Sequence, residues 1–108
     1  MGYPVRLLIY LKTSDGLSKT IVCEGKTILE PAVGGRLDLS YQTHEGKKVL
    51  PLAYSEVVEF LTEKVIQCRL YDIRKAYELE PERIPNIKEA FRDAGFAIIE
   101  ELSCTRPQ

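Results

Sequence analysis

Residues 52–79 contain neither glycine nor proline, and this run constrains the fold more than any other part of the chain. It is either one long helix or a β-hairpin turning near Thr62-Glu63. A helix would start at Ser55 as N-cap with Glu56 in its first turn. It would bury a stripe of Val57, Val58, Leu61, Val65 and Cys68. Continuing that stripe places Asp72 and Lys75 on the apolar face, while Ile66, Leu70, Ile73 and Tyr77 form a second, rotated stripe. Such a helix would carry charge on every side. As a strand, Ile66, Cys68 and Leu70 alternate with Gln67, Arg69 and Tyr71. Tyr54, Val58 and Phe60 share one face of the preceding segment, interrupted by Glu56. The weak point of the hairpin is its turn, since neither Thr62 nor Glu63 favours positive φ. A hybrid, with a helix over 55–64 and a strand over 65–73, is the third arrangement. The hairpin fits the pattern best, and 65–73 is a strand in two of the three readings.

The N-terminal half reads as strands. Val5, Leu7, Ile9 and Leu11 alternate with Arg6, Leu8, Tyr10 and Lys12, a pattern with one buried face and a partly covered second face. Ser14-Asp15-Gly16 supplies a turn in which glycine takes the positive φ, and 19–24 returns as a second strand. Gly25-Lys26-Thr27 is not a phosphate loop. The glycine that pattern needs five residues earlier is Thr20, and the segment overlaps a strand. Pro31 and Gly34-Gly35 mark a loop. Leu37, Leu39 and Tyr41 then alternate with Arg36, Asp38 and Ser40. Thr43-His44-Glu45-Gly46 is turn-like, and a fourth strand over 48–52 is weakened by Pro51.

The C-terminal unit is a helix followed by a strand. Asn86 is a candidate N-cap with Glu89 completing a capping box. Ile87, Ala90, Phe91 and Ala94 form one apolar stripe, Gly95 stands at the left-handed C-cap, and 96–102 is a strand. The expected fold class is therefore α+β: a small, strongly curved, mostly antiparallel sheet of five or six strands, able to close partly into a small β-barrel. One C-terminal helix precedes the final strand. The chain, 1–108, is expected to be a single domain with a frayed tail at 103–108.

Lys and Arg total 15 and Asp and Glu total 16, a net charge of −1. Overall charge therefore gives no attraction to nucleic acid or anionic membranes. The three cysteines, Cys23, Cys68 and Cys104, are an odd number without C-x-x-C spacing, which excludes a disulfide framework and a zinc knuckle. A reduced, cytoplasmic protein is expected, with Cys104 as the exposed thiol. The N-terminus lacks the apolar region of a signal peptide and departs from the myristoylation pattern at Arg6. No apolar run approaches the ~20 residues of a membrane helix. His44, the only histidine, falls at a loop tip.

No catalytic residue, metal ligand or cofactor site is assigned from the sequence. Glu100 and Glu101 adjoin on a strand and so point to opposite faces. Glu89 and Asp93 lie beside Lys88 and Arg92, as on an ordinary wet helix surface. Glu78, Glu80 and Glu82 fall in or beside the connector, with no base or nucleophile next to them. The leading functional expectation is a non-enzymatic protein-interaction or assembly module, a homodimer included, because an exposed sheet edge is a ready site for strand addition. The alternative is nucleic-acid binding on a face carrying Tyr41, Lys47, Lys48, Arg69, Tyr71 and Arg74, with tyrosines stacking on bases and cations on phosphates. An enzyme or enzyme subunit is a third reading. Balanced charge places nucleic acid behind a protein partner, and no membrane partner is expected.

Overall fold

β1 (Tyr3–Lys12) is the strand around which the rest is laid. Its alternation puts Val5, Leu7, Ile9 and Leu11 in the core, none more than 1% exposed. The structure, a computed structural model describing residues 2–105, continues with β2 (Leu17–Thr27), β3 (Arg36–Thr43), β4 (Gly46–Phe60) and β5 (Val65–Asp72). A 3-10 turn (Pro81–Arg83), α1 (Ile84–Asp93) and β6 (Ala97–Thr105) complete the fold. It is α+β, with one six-stranded sheet in the order β3-β4-β5-β1-β2-β6. All neighbouring pairs are antiparallel except β1 and β5, which run parallel.

Residues 52–72 form the hairpin, not a helix, and 73–79 follow it as a turn and connector. β4 and β5 pair from Leu52↔Asp72 to Phe60↔Val65. Residues 61–64 make the turn, and the left-handed step falls on Lys64 (φ 56°). Neither Thr62 nor Glu63 has to adopt positive φ, which removes the objection to this turn. The separate fourth strand ending at Leu52 is corrected. β4 runs unbroken through Pro51, pairing with β3 over its first half and with β5 over its second. Pro51 is tolerated because it stands opposite Asp38 with its carbonyl accepting from the Ile73 amide (3.1 Å). Its missing N–H therefore faces the place where β5 has ended.

The shared face of Tyr54, Val58 and Phe60 is also corrected. The β4–β5 register shifts between Tyr54 and Glu56, and this extra residue turns the alternation over. Tyr54 is 6% exposed in the core, whereas Val58 and Phe60 are each 37% exposed.

Asn86 does not cap the helix. α1 begins two residues earlier at Ile84, with Pro85 in its first turn, where a missing N–H removes nothing. Asn86 lies inside the helix, and its Nδ2 donates to the Gln42 carbonyl on β3 (2.7 Å). The C-terminus follows the expected pattern. Gly95 takes φ +94°, its amide donates to Arg92, and the Phe96 amide donates back to Phe91. This pair of hydrogen bonds is a Schellman cap. The Phe91 and Phe96 rings then meet edge-on at 5.8 Å, the apolar contact that accompanies such a cap. The final strand is longer than expected. It continues past Leu102 to Thr105, which pairs with Leu17, and only 106–108 of the expected tail lie outside the described residues.

The sheet is not closed, so the partly closed barrel is not formed. α1 packs against β3 and β6, the two edge strands, so both edges reach the same helix rather than each other. Lys88 Nζ bonds Glu101 Oε1 of β6 at 2.7 Å, while Asn86 holds β3. Ile84, Ile87 and Phe91 are buried between them. Among the described residues no helix is long and apolar enough to cross a membrane.

Cys68, Leu7 and Cys23 form one core row across β5, β1 and β2. The two sulfurs are two strand spacings apart, about 9–10 Å, beyond disulfide reach. Burial pushes the Cys23 thiol up to about 12 and the Cys68 thiol up to about 11, while Cys104 is exposed. In the folded protein one thiol per chain is expected to react promptly with a thiol reagent at pH 8, and the other two only after denaturation. Rapid release of more than one equivalent from native protein contradicts this arrangement. A Cβ at Gly25 would stand 2.5 Å from Phe96 Cδ1, and that ring is fixed by Phe91. Gly25→Ala should therefore destabilise the fold by about 1–3 kcal/mol, read from urea denaturation.

Candidate functional site

The parallel pairing of β1 with β5 places Tyr10 beside Tyr71, and Leu8 beside Arg69. All four lie on the sheet face opposite the helix, because Ile9, Leu70 and Cys68 between them point into the core. The two tyrosines are 42% and 44% exposed. Tyr10 is oriented by a 2.8 Å hydrogen bond between its hydroxyl and Ser18 Oγ. The row continues outward to Ala53 on one side and to Thr20 and Leu102 on the other.

Two open depressions share the tyrosine pair. One, of about 390 Å³, is floored by Leu8 and Thr20 and bordered by Ser55 and Arg69. The other, of about 420 Å³, extends past the ends of β1 and β5 to Lys12, Arg74, Lys75 and Tyr77. The turn after β5 builds the second depression. The Asp72 carboxylate accepts from the Arg74 amide (2.9 Å) and from its guanidinium at Nε (2.9 Å) and Nη2 (2.7 Å). The guanidinium lies over the Tyr77 ring, 3.6 Å from its centroid, so Arg74 is held on two sides. Ala76 takes φ 57°. Leu79 then rejoins β1, its amide donating to the Lys12 carbonyl (2.8 Å) and its carbonyl accepting from Ser14 (2.9 Å). Lys12 and Lys75 line this cleft and form no ion pair among the described residues.

The six residues read from the sequence as one face are not all together. Arg69, Tyr71 and Arg74 border these connected depressions. Tyr41 is 4% exposed in the core, where burial first, and then Tyr77, pushes its phenol up. It supports the back of the Arg74–Tyr77 pair and offers no ring to a ligand. Lys48 is on that far side too, in a polar cleft that Tyr41, Arg74 and Tyr77 also line, together with Glu45, Glu80 and Arg83. Arg83 bonds Glu45 and holds its carboxyl below the usual range. Lys47 is elsewhere, facing Glu89 and Asp93 of α1. Sequence reasoning missed Tyr10, Lys12 and Tyr77. The alternation of β1 already put Tyr10 and Lys12 on the outer face, but nothing in the pattern paired β1 with β5.

The other candidate groups stay apart from this site. His44 sits at the exposed tip of the β3–β4 turn. Glu89 is paired with Arg92 at 3.6 Å. Glu101 is countered by Lys88 and, at 3.7 Å, by Lys19. No family model matches the chain, and no curated protein or solved structure is significantly similar to it.

Because a non-glycine residue at positive φ carries a steric penalty, Ala76→Gly should stabilise the protein by about 0.5–1 kcal/mol, net of the greater freedom of the unfolded chain. A rise of a few degrees in Tm checks this, and a fall contradicts the turn geometry.

Proposed function

We propose that this chain is a non-enzymatic binding module that lays a single-stranded nucleic acid across the outer face of β1 and β5. The observation that carries the reading is the Tyr10–Tyr71 pair. These are two neighbouring, half-exposed rings on the two central strands, with Lys12 and Lys75, which form no ion pair among the described residues, at one border and Arg69 at another. Two adjacent bases can stack on such rings while the ammonium groups meet the flanking phosphates. Sequence alone ranks a protein partner first because total charge is balanced. The local balance differs: Lys12, Arg69, Arg74 and Lys75 stand against Asp72 and Glu56, and both acids are already paired with the arginines. The hairpin at 52–72 also supports the reading, since a helix over 55–64 would have covered this face.

A protein-interaction role has one specific observation of its own, the open backbone edge of β6.

Few phosphates are within reach, so weak and strongly salt-dependent binding is expected. Two or three phosphate contacts give a slope of log K against log salt of about −2. Fluorescence anisotropy with labelled oligo-dT and oligo-rU should show binding at low salt. Tyr10→Ala and Tyr71→Ala should each weaken it by roughly 5- to 150-fold, with Tyr71→Phe close to wild type. Lys75→Ala should flatten the salt slope by about 0.7. No binding of either oligonucleotide at low salt rejects the reading.

A further inference from the structure

β6 is a nine-residue edge strand in which only Ile98 is partly covered, and its far side has no neighbour in the sheet. The phase of its backbone groups follows from the β1–β2 hairpin. The Thr13 amide donates to the Leu17 carbonyl, so odd-numbered residues of β2 between 17 and 23 turn their backbone groups toward β1. The even-numbered ones turn toward β6. Ser18 and Thr20 stand opposite Cys104 and Leu102, which therefore bond inward. Glu101, Ser103 and Thr105 are left with amides and carbonyls on the open edge.

We infer that β6 pairs with β6 of a second copy of this chain, antiparallel and centred on Leu102, joining two sheets into one. This interface goes beyond the nucleic-acid reading and does not depend on it. The chemistry of the strand fits both this occupant and this register. Centring on Leu102 sets Glu101 of each copy opposite Ser103 of the other, and these are the residues whose backbone groups are free to form the ladder. Leu102, 47% exposed on the outer face, meets its own symmetry mate. Glu100 comes opposite Cys104, so no two like charges are directly opposed. A register centred on Glu101 would oppose two carboxylates. The incoming Glu101 also lands beside a cation, because Lys19 Nζ already bonds Ser103 Oγ at 2.9 Å. The two Glu101 side chains, diagonal across the pair, are each countered by Lys88 within their own copy. A strand pair alone is at the small end of specific interfaces, so the dimer is expected to depend on concentration. The two-fold axis runs perpendicular to the sheet, so both Tyr10–Tyr71 faces emerge on the same side.

Sedimentation velocity of the whole chain over a wide concentration range should show monomer passing to dimer. Ser103→Pro removes an edge amide that bonds nothing in the monomer, and should weaken the dimer by roughly thirtyfold, since the symmetric pair loses two hydrogen bonds. Its circular dichroism and Tm should stay near wild type. In a Cys104→Ser background, Leu102→Cys should form a covalent dimer under mild oxidation, because the opposed pair at the axis falls within disulfide reach. Ser103→Cys should not, because its opposite residue is Glu101. Should Ser103→Pro misfold, the cysteine pair decides alone. A strict monomer at millimolar concentration overturns the inference, as does unaltered dimerisation of a folded Ser103→Pro chain. Equal cross-linking of the two cysteine variants also overturns it.

Discussion

β1 and β5 lie side by side in parallel, and most of what is distinctive in this molecule depends on that pairing. It places Leu7 between the buried Cys68 and Cys23, which fixes the middle of the core. It also places Tyr10 against Tyr71 on the opposite face. The strands that carry these residues are far apart in sequence, so the pair forms only after β2, β3 and β4 have reversed the chain. Parallel neighbours cannot be joined by a tight turn. Here the chain reaches the parallel position through successive antiparallel strands and the crossing segment before β3. Leu79 extends the same alignment beyond the strands by bonding at Lys12 and Ser14, which anchors the cationic turn to β1.

The helix supplies the second constraint. A six-stranded sheet with a single apolar face must cover that face and dispose of two edges. α1 does much of both. Its stripe of Ile84, Ile87 and Phe91 covers the core, Asn86 occupies an edge carbonyl of β3, and Lys88 reaches Glu101 of β6. The coverage is unequal. β3 has a backbone acceptor tied to the helix, whereas β6 is held through side chains alone and keeps its backbone edge open. The two surfaces argued to bind, the tyrosine face and the β6 edge, are thus what remains after one short helix has covered the inner side.

Much of this fold was legible in the residues. The alternation of β1, the Asp15-Gly16 turn and the Phe91–Gly95–Phe96 cap are local, and each follows from side-chain type and φ preference within a few positions. The hairpin at 52–72 was legible because Asp72 and Lys75 spoil any long helical stripe. Its details were not. A bulge at Ser55 inverts a face, so a pattern read straight through it assigns Tyr54, Val58 and Phe60 together. Pro51 reads as a strand breaker until its neighbour on one side is known to have ended. Asn86 reads as a cap because an amide followed three residues later by a carboxylate is a local signature. The structure gives that amide a carbonyl on a strand more than forty residues away.

By itself, the sequence determined which residues face inward along β1 and β5, where most turns and the helix end fall, and that Cys104 is the thiol open to solvent. Periodicity and backbone preference are properties of neighbouring residues and need no fold to be read. Only the tertiary structure decided that Tyr71 has Tyr10 as its neighbour, that Tyr41 is core, that Lys47 faces the helix acids, and that β6 is left as an open edge. Strand order and pairing are set by how one apolar face is covered as a whole, and no residue carries that information alone.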